Sequence, residues 1–244
     1  MVGRDRLREL RFRMLVVEAL RAVKAEGYSY RALARALGVN HTLLARYVAG
    51  SLLPSLEQAR KIWAGIRGVV DLEGRIRGLL ERDGVVDLGE ALSSPLNLRL
   101  ASLEFLERFE GASVAKILVP ETSGISLATA LALAFDAELV VARRRKTVPG
   151  RRYVEASVTM APNIIRIFYI PEGALAEREP VLVVDDLIQS GLTLEAMRRL
   201  VEASGARLAG VAAVVVYGGR WRERARLPPD VRVEAIVEVG HAQG

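Results

Sequence analysis

The sequence predicts two differently built parts: a small all-α domain over residues 1–70, then an open, mostly parallel-sheet α/β domain over residues 71–244. Three observations carry this. Apolar residues at helical spacing, punctuated by glycines, fill the first part with no strand signal. Beyond about residue 110, apolar runs of strand length alternate with helical segments, the pattern of a buried parallel sheet covered by helices. Charge is divided too. Residues 1–70 hold 13 Arg/Lys and 5 Asp/Glu and the remainder holds 22 and 24, so a total of +6 splits into +8 and −2.

Taken in order, residues 4–25 read as one amphipathic helix, with Leu7, Leu10, Met14, Val17, Leu20 and Val23 at helical spacing and Gly27 ending it. Ser29 or Tyr30 opens a short helix, YRALARALG; Gly38 makes a tight turn; Asn40 is a good N-cap for HTLLARYVAG. A further helix follows Pro54 and Ser55, from Leu56 to about Ile66. Residues 71–110 are helical or mixed, with a turn near Asp83-Gly84 and a loop at Ser93-Ser94-Pro95. Then SVAKILV is a strand, ISLATALALAF a helix, AELVVA a strand, IIRIFYI and VLVV strands, LEAMRRLVEAS a helix and LAGVAAVVVY a strand. VRVEAIVEV alternates and is a candidate edge strand.

Composition removes several classes of chemistry. With no cysteine there is no disulfide, thiolate nucleophile or Cys-based metal site, and two histidines, His41 and His241, are too few for a His-rich one. No metal site built by the protein alone is expected. There is no apolar run of membrane-spanning length and no apolar core of a signal peptide after the charged N-terminus. A soluble cytoplasmic protein, without a membrane partner, is the expectation.

The most informative segment is Val181 to Thr193, VLVVDDLIQSGLT. Four apolar residues make a central strand, and Asp185 and Asp186 follow at its carboxyl end, where open α/β sheets bind ligands. The loop Gln189, Ser190, Gly191, Leu192, Thr193 then enters a helix. Backbone N–H groups at a helix N-terminus suit a phosphate monoester. Gly191 lets the backbone close on it, and Ser190 and Thr193 can add hydroxyl donors. The two carboxylates accept hydrogen bonds and so suit the hydroxyls of a ribose. Together they describe a ribose 5-phosphate site.

This segment resembles the signature by which type I phosphoribosyltransferases bind 5-phosphoribosyl-1-pyrophosphate (PRPP). Gln189 stands where that family usually has a small residue, and Leu192 where a glycine is common. Two more pieces fall in the family's order. VPETSGI, residues 119–125, resembles its pyrophosphate loop, with Glu121, Thr122, Ser123 and Gly124 as candidates. ARRRKTVPGRRYVEASV, residues 142–158, is similar to the flexible loop that closes over PRPP, with Arg143 and Lys146 directed at the pyrophosphate. The resemblance covers roughly residues 110–220, is nearest to the adenine and xanthine enzymes and to the bacterial purine repressor built on the same fold, and implies Mg²⁺ bound with PRPP. It leaves the catalytic residue unassigned. Laying Val148-Pro149-Gly150 on the Leu-Pro-Gly turn of adenine phosphoribosyltransferases puts Met160 near the position of their loop glutamate, with Glu155 five residues earlier.

Residues 28–62 resemble a helix-turn-helix of the phage-repressor kind. Leu33, Ala34 and Leu37 pack its first helix, and Asn40 to Tyr47 form the recognition helix. Asn40, His41, Thr42 and Arg46 are then the candidate contacts to duplex DNA, and pairing of half-sites implies a homodimer. The chain is therefore expected to be a PRPP-sensing, DNA-binding transcription regulator on a phosphoribosyltransferase-like fold. The alternative is an active purine phosphoribosyltransferase that joins a purine base to PRPP and releases pyrophosphate.

Overall fold

The computed structural model describes residues 2–80 and 88–240, so the turn expected at Asp83-Gly84 and the second histidine, His241, lie outside the described residues. The chain divides into two compact units, residues 1–107 and 108–244.

The first unit is all helical: α1 (Val2–Ala25), α2 (Tyr30–Leu37), α3 (His41–Ala49), α4 (Leu56–Val69), α5 (Leu72–Leu80), α6 (Gly89–Ser93) and α7 (Pro95–Arg108). Apolar residues in the second half of α1, Val16, Val17, Ala19, Leu20 and Val23, are buried, while Leu7 and Met14 before them stay half exposed. Side-chain caps set the starts of the next three helices. Ser29 Oγ accepts from the Ala32 amide, Asn40 Oδ1 from those of Thr42 and Leu43, and Ser55 Oγ from that of Gln58. Gly38, at φ 60°, supplies the left-handed turn between α2 and α3. At the loop expected around residues 93–95, Pro95 starts α7, which its missing N–H permits at a first helical position. The helices after residue 70 belong to this unit rather than to the sheet. Arg75 pairs with Glu26 at 3.4 Å, and Trp63 Nε1 donates to Glu107 at 3.1 Å.

The second unit carries β1 (Lys116–Pro120), α8 (Ile125–Phe135), β2 (Glu138–Ala142), β3 (Tyr153–Ala161), β4 (Ile164–Pro171), β5 (Pro180–Ile188), α9 (Leu192–Ala203), β6 (Arg207–Tyr217), α10 (Trp221–Arg224) and β7 (Val233–Val239). Five strands form a parallel sheet in the order β2-β1-β5-β6-β7, with VRVEAIVEV supplying the edge strand β7. Val181 to Val184 and Val211 to Val215 are almost wholly buried, as the apolar runs of a sheet covered on both faces must be.

IIRIFYI departs from expectation. It is β4, and it pairs antiparallel with β3 in a separate two-stranded sheet. The cause is the short connection at Pro162-Asn163, with Asn163 at φ 65°. A link of that length joins only antiparallel neighbours; a parallel pair needs a crossover of a dozen residues or so. The second half of the expected basic loop, from Tyr153 onward, is therefore strand.

Strand order places the site. From β1 the chain winds through α8 to β2 on one side, and from β5 through α9 to β6 on the other. The winding reverses between β1 and β5, and a crevice opens at the carboxyl ends of such a pair.

Candidate active site at the carboxyl ends of β1 and β5

The structure brings together three of the segments singled out in the sequence. Asp185 and Asp186 lie within β5, which runs on past the expected four apolar residues to Ile188; Gln189, Ser190 and Gly191 make the connection, and Leu192 and Thr193 open α9. Gly191 is the N-cap of α9 at φ 79°, a conformation other residues rarely adopt. A Cβ there would also lie 2.3 Å from the Trp221 carbonyl oxygen, so both backbone angle and close approach demand glycine. The first bond inside α9 runs from the Glu195 amide to the Gly191 carbonyl. The amides of Leu192, Thr193 and Leu194 thus have no partner within the helix. Gly191 caps nothing with a side chain, and Ser190 Oγ reaches the Leu192 amide only at 3.4 Å. Trp221 as the wall behind Gly191 had no signal in the sequence, because it comes from a distant turn.

The pyrophosphate-loop candidates sit on the β1–α8 connection. α8 likewise starts from a glycine N-cap, Gly124, with no side-chain cap. A Cβ on Gly124 would stand 3.2 Å from the Asp186 amide nitrogen and 3.4 Å from the Asp185 carbonyl carbon. The start of α8 therefore comes close to the backbone of β5, and glycine permits it.

The acid pair is unequal. Asp185 is buried, 7 % exposed, and its Oδ1 accepts from the Asp186 amide at 3.0 Å. Burial, with the Asp186 charge beside it, pushes the Asp185 carboxyl well above the usual carboxylate range. Asp186 is half-buried and remains the more accessible partner.

The third segment, the basic loop, is exposed from Arg143 to Arg152. Arg143 is fixed by its backbone, exchanging both hydrogen bonds with Tyr169. Lys146 pairs with Glu155 at 3.2 Å and stands over the Tyr169 ring. The amides of Thr147 and Val148 donate to the Tyr153 hydroxyl at 3.2 and 3.0 Å. Lys146 is thus held on the β3–β4 hairpin, and its partner is Glu155, five residues before Met160. Glu121 is not placed as a phosphate contact: its Oε1 accepts from the Arg144 amide at 2.8 Å. The remaining candidates, Asn40, His41, Thr42 and Arg46, lie exposed on and just before α3 in the other unit.

Among the described residues no three His, Cys, Asp or Glu side chains cluster as a metal site. The Asp185–Asp186 pair still fits magnesium that arrives with a substrate, because Mg²⁺ is usually held by one or two carboxylates with phosphate oxygens and water completing the shell.

A strand-order reversal, with an acid pair near the end of β5 and two helices that start from glycine, is an α/β build suited to phosphorylated ligands. The model of the phosphoribosyl transferase domain matches residues 99–243, and the chain belongs to that family. Its relatives include a xanthine phosphoribosyltransferase of Exiguobacterium sp., 32% identical over 69% of this chain and 91% of the relative. Another, from Moorella thermoacetica, is 25% identical over 70% and 89%. A solved adenine phosphoribosyltransferase from Rhodothermus marinus is similar with a TM-score of 0.60 and 26% identity, covering 69% of this chain and 99% of that one.

These relatives overturn the expectation of a PRPP-sensing transcription regulator and favour the enzyme alternative. The regulator reading gave the basic charge and turn pattern of residues 1–70 weight over the chemistry of the sheet. Those features describe how the helical part is built and leave the reaction at the strand ends undecided.

Proposed function

We propose that the chain is a purine phosphoribosyltransferase, transferring the phosphoribosyl group of PRPP to a ring nitrogen of a purine base with release of pyrophosphate. The observation that supports this reading is the close approach of Gly124 to the backbone of Asp185 and Asp186 on β5, the strand that leads into the expected 5-phosphate loop. The amides at the start of α9, with Ser190 and Thr193, hold the 5-phosphate. Asp186, and Asp185 behind it, accept hydrogen bonds from the ribose hydroxyls. Amides from Thr122 to Gly124 hold the pyrophosphate, and Arg143 and Lys146 approach it when the basic loop closes, Lys146 leaving Glu155. Bound magnesium would neutralise pyrophosphate charge as it leaves. The test is pyrophosphate release from PRPP and Mg²⁺ with xanthine, guanine, hypoxanthine and adenine in turn. Turnover with one base at rates of about 1–10³ per second is expected; none with any base would refute the assignment. Xanthine is the first choice because curated relatives carry that name.

A second proposal concerns the helical unit alone. Asn40, His41, Thr42 and Arg46 are all exposed at α3, in a stretch with a net charge of +8, and this supports contact with the phosphates of duplex DNA, made by a homodimer. Each phosphate contact adds about −0.9 to the slope of log affinity against log salt. Full-length protein that shows no binding at low salt, or sediments as a monomer, would count against it.

A further inference from the structure

Glu121 is the one candidate of the pyrophosphate loop whose side chain cannot bind a phosphate, since an ionised carboxylate only accepts hydrogen bonds. Its surroundings give it another task. The β1–β2 ladder ends at the pair Pro120–Ala142. Glu121 continues it, its amide donating to the Ala142 carbonyl at 3.0 Å. Its carboxylate then reaches one step further and accepts from the Arg144 amide at 2.8 Å. Two bonds from one residue thus bridge the last position of β2 and the run Arg143-Arg144-Arg145-Lys146. On the opposite side, Arg143 is bonded in both directions to Tyr169. The base of the basic loop is therefore gripped from two sides, by the pyrophosphate loop and by the hairpin.

We propose that Glu121 is a positioning residue: it fixes the direction in which the basic run leaves β2, so that cations and loop amides converge on one pyrophosphate. This rests on the transferase reading for its purpose, though the tether itself does not. A negative charge next to a polyanion is unfavourable, but its bond to a backbone amide holds it on the loop base. What matters for the tether is an acceptor oxygen, which glutamine also has.

Two variants separate the tether from other roles. Glu121→Gln keeps an acceptor for the Arg144 amide and loses the charge; Glu121→Ala loses both. Brief trypsin digestion of the full chain reads the loop directly, because its target residues are Arg143, Arg144, Arg145 and Lys146. Cleavage there should quicken severalfold in the alanine variant and stay near the parent rate in the glutamine variant, with the thermal midpoint of all three alike. Calorimetry with PRPP should show about tenfold weaker binding for alanine, the loss expected from one charge-assisted bond, and near-parent binding for glutamine. In turnover the change should fall on KM for PRPP and not on kcat. Equal losses in both variants would overturn the proposal and make the charge itself the functional element, as in a metal ligand. Unchanged cleavage in the alanine variant would overturn it as well. Should the parent protein fail to bind PRPP, the transferase reading falls, while the cleavage rates still decide whether Glu121 tethers the loop.

Discussion

Three helix starts of the helical unit and two of the α/β unit are built to opposite rules. In the helical unit α2, α3 and α4 each begin with a side chain, Ser29, Asn40 or Ser55, bonded to the free amides of its own first turn. In the α/β unit α8 and α9 each begin with a glycine, and no side chain of that glycine's position caps the turn. The amides of Thr193 and Leu194 have no partner within α9, while at α8 the Ile125 amide reaches back to the Thr122 carbonyl at 3.3 Å. A side-chain cap stabilises a helix by about 0.5–2 kcal/mol; forgoing it would be the local cost of the anion site proposed for these loops. The difference shows why a helix start alone says little and why a glycine start at a reversal crevice, beside an acid pair, says much more.

The largest test of that contrast is at the acids. Asp185→Asn with Asp186→Asn should abolish measurable PRPP binding by calorimetry while the circular dichroism stays native, since each bond to a ribose hydroxyl is worth about 1.5–3 kcal/mol. Unaltered affinity would remove the site from this crevice. Next comes Gly191→Ala. Left-handed backbone costs about 1–2 kcal/mol for a residue with a Cβ, and the Trp221 carbonyl 2.3 Å away must also move. Denaturant unfolding should show a loss of at least about 2 kcal/mol, with PRPP affinity falling too. The mirror experiment is Asn40→Ala, which should cost about 1 kcal/mol of stability and leave PRPP affinity unchanged. A change in that affinity would mean the two kinds of helix start are not independent.

The smallest effect is a pH dependence. Asp185 holds its proton more tightly folded than unfolded, because burial and the neighbouring charge raise its pKa. Below about pH 4, the ordinary aspartate value, both states are protonated and nothing is lost. As pH rises past that value the unfolded state gives up the proton first, and the folded state is progressively destabilised until its own raised pKa is passed. Asp185→Asn removes this penalty. The ligand-free variant should therefore melt higher than the parent at pH 7, with the gap closing towards pH 3. A gap of constant size would show that Asp185 is charged and satisfied where it stands.

Much of this was legible in the sequence because it rests on local chemistry. Asn40, Ser55 and Gly38 mark helix ends by what their own atoms do, and VLVV reads as a buried strand, though the strand runs on through the acids to Ile188. The reversal between β1 and β5 was not read, because it rests on the spatial order of the strands. What was not legible depends on distant partners. β4 read as another sheet strand because its composition matches one, and only the tight turn at Pro162-Asn163 decides its pairing. Asp185 and Asp186 looked equivalent, yet Asp185 is buried and Asp186 only half-buried. The partners of Lys146 and Glu121 are bonds across loops, for which spacing along the chain carries no signal.

The β3–β4 hairpin, finally, is a detour. β1 and β5 are already hydrogen-bonded neighbours, so the excursion from the end of β2 to the start of β5 adds no rung to the parallel ladder. Its one backbone tie to the end of β2 is the bridge between Arg143 and Tyr169. The hairpin is nevertheless part of the core: Ala156, Val158, Phe168 and Ile170 are buried in one cluster with Leu194, Met197 and Val201 of α9. What stands outside that cluster is the exposed run from Arg143 to Arg152, so this shorter stretch, and not the hairpin behind it, is the natural place to re-engineer what the crevice closes over.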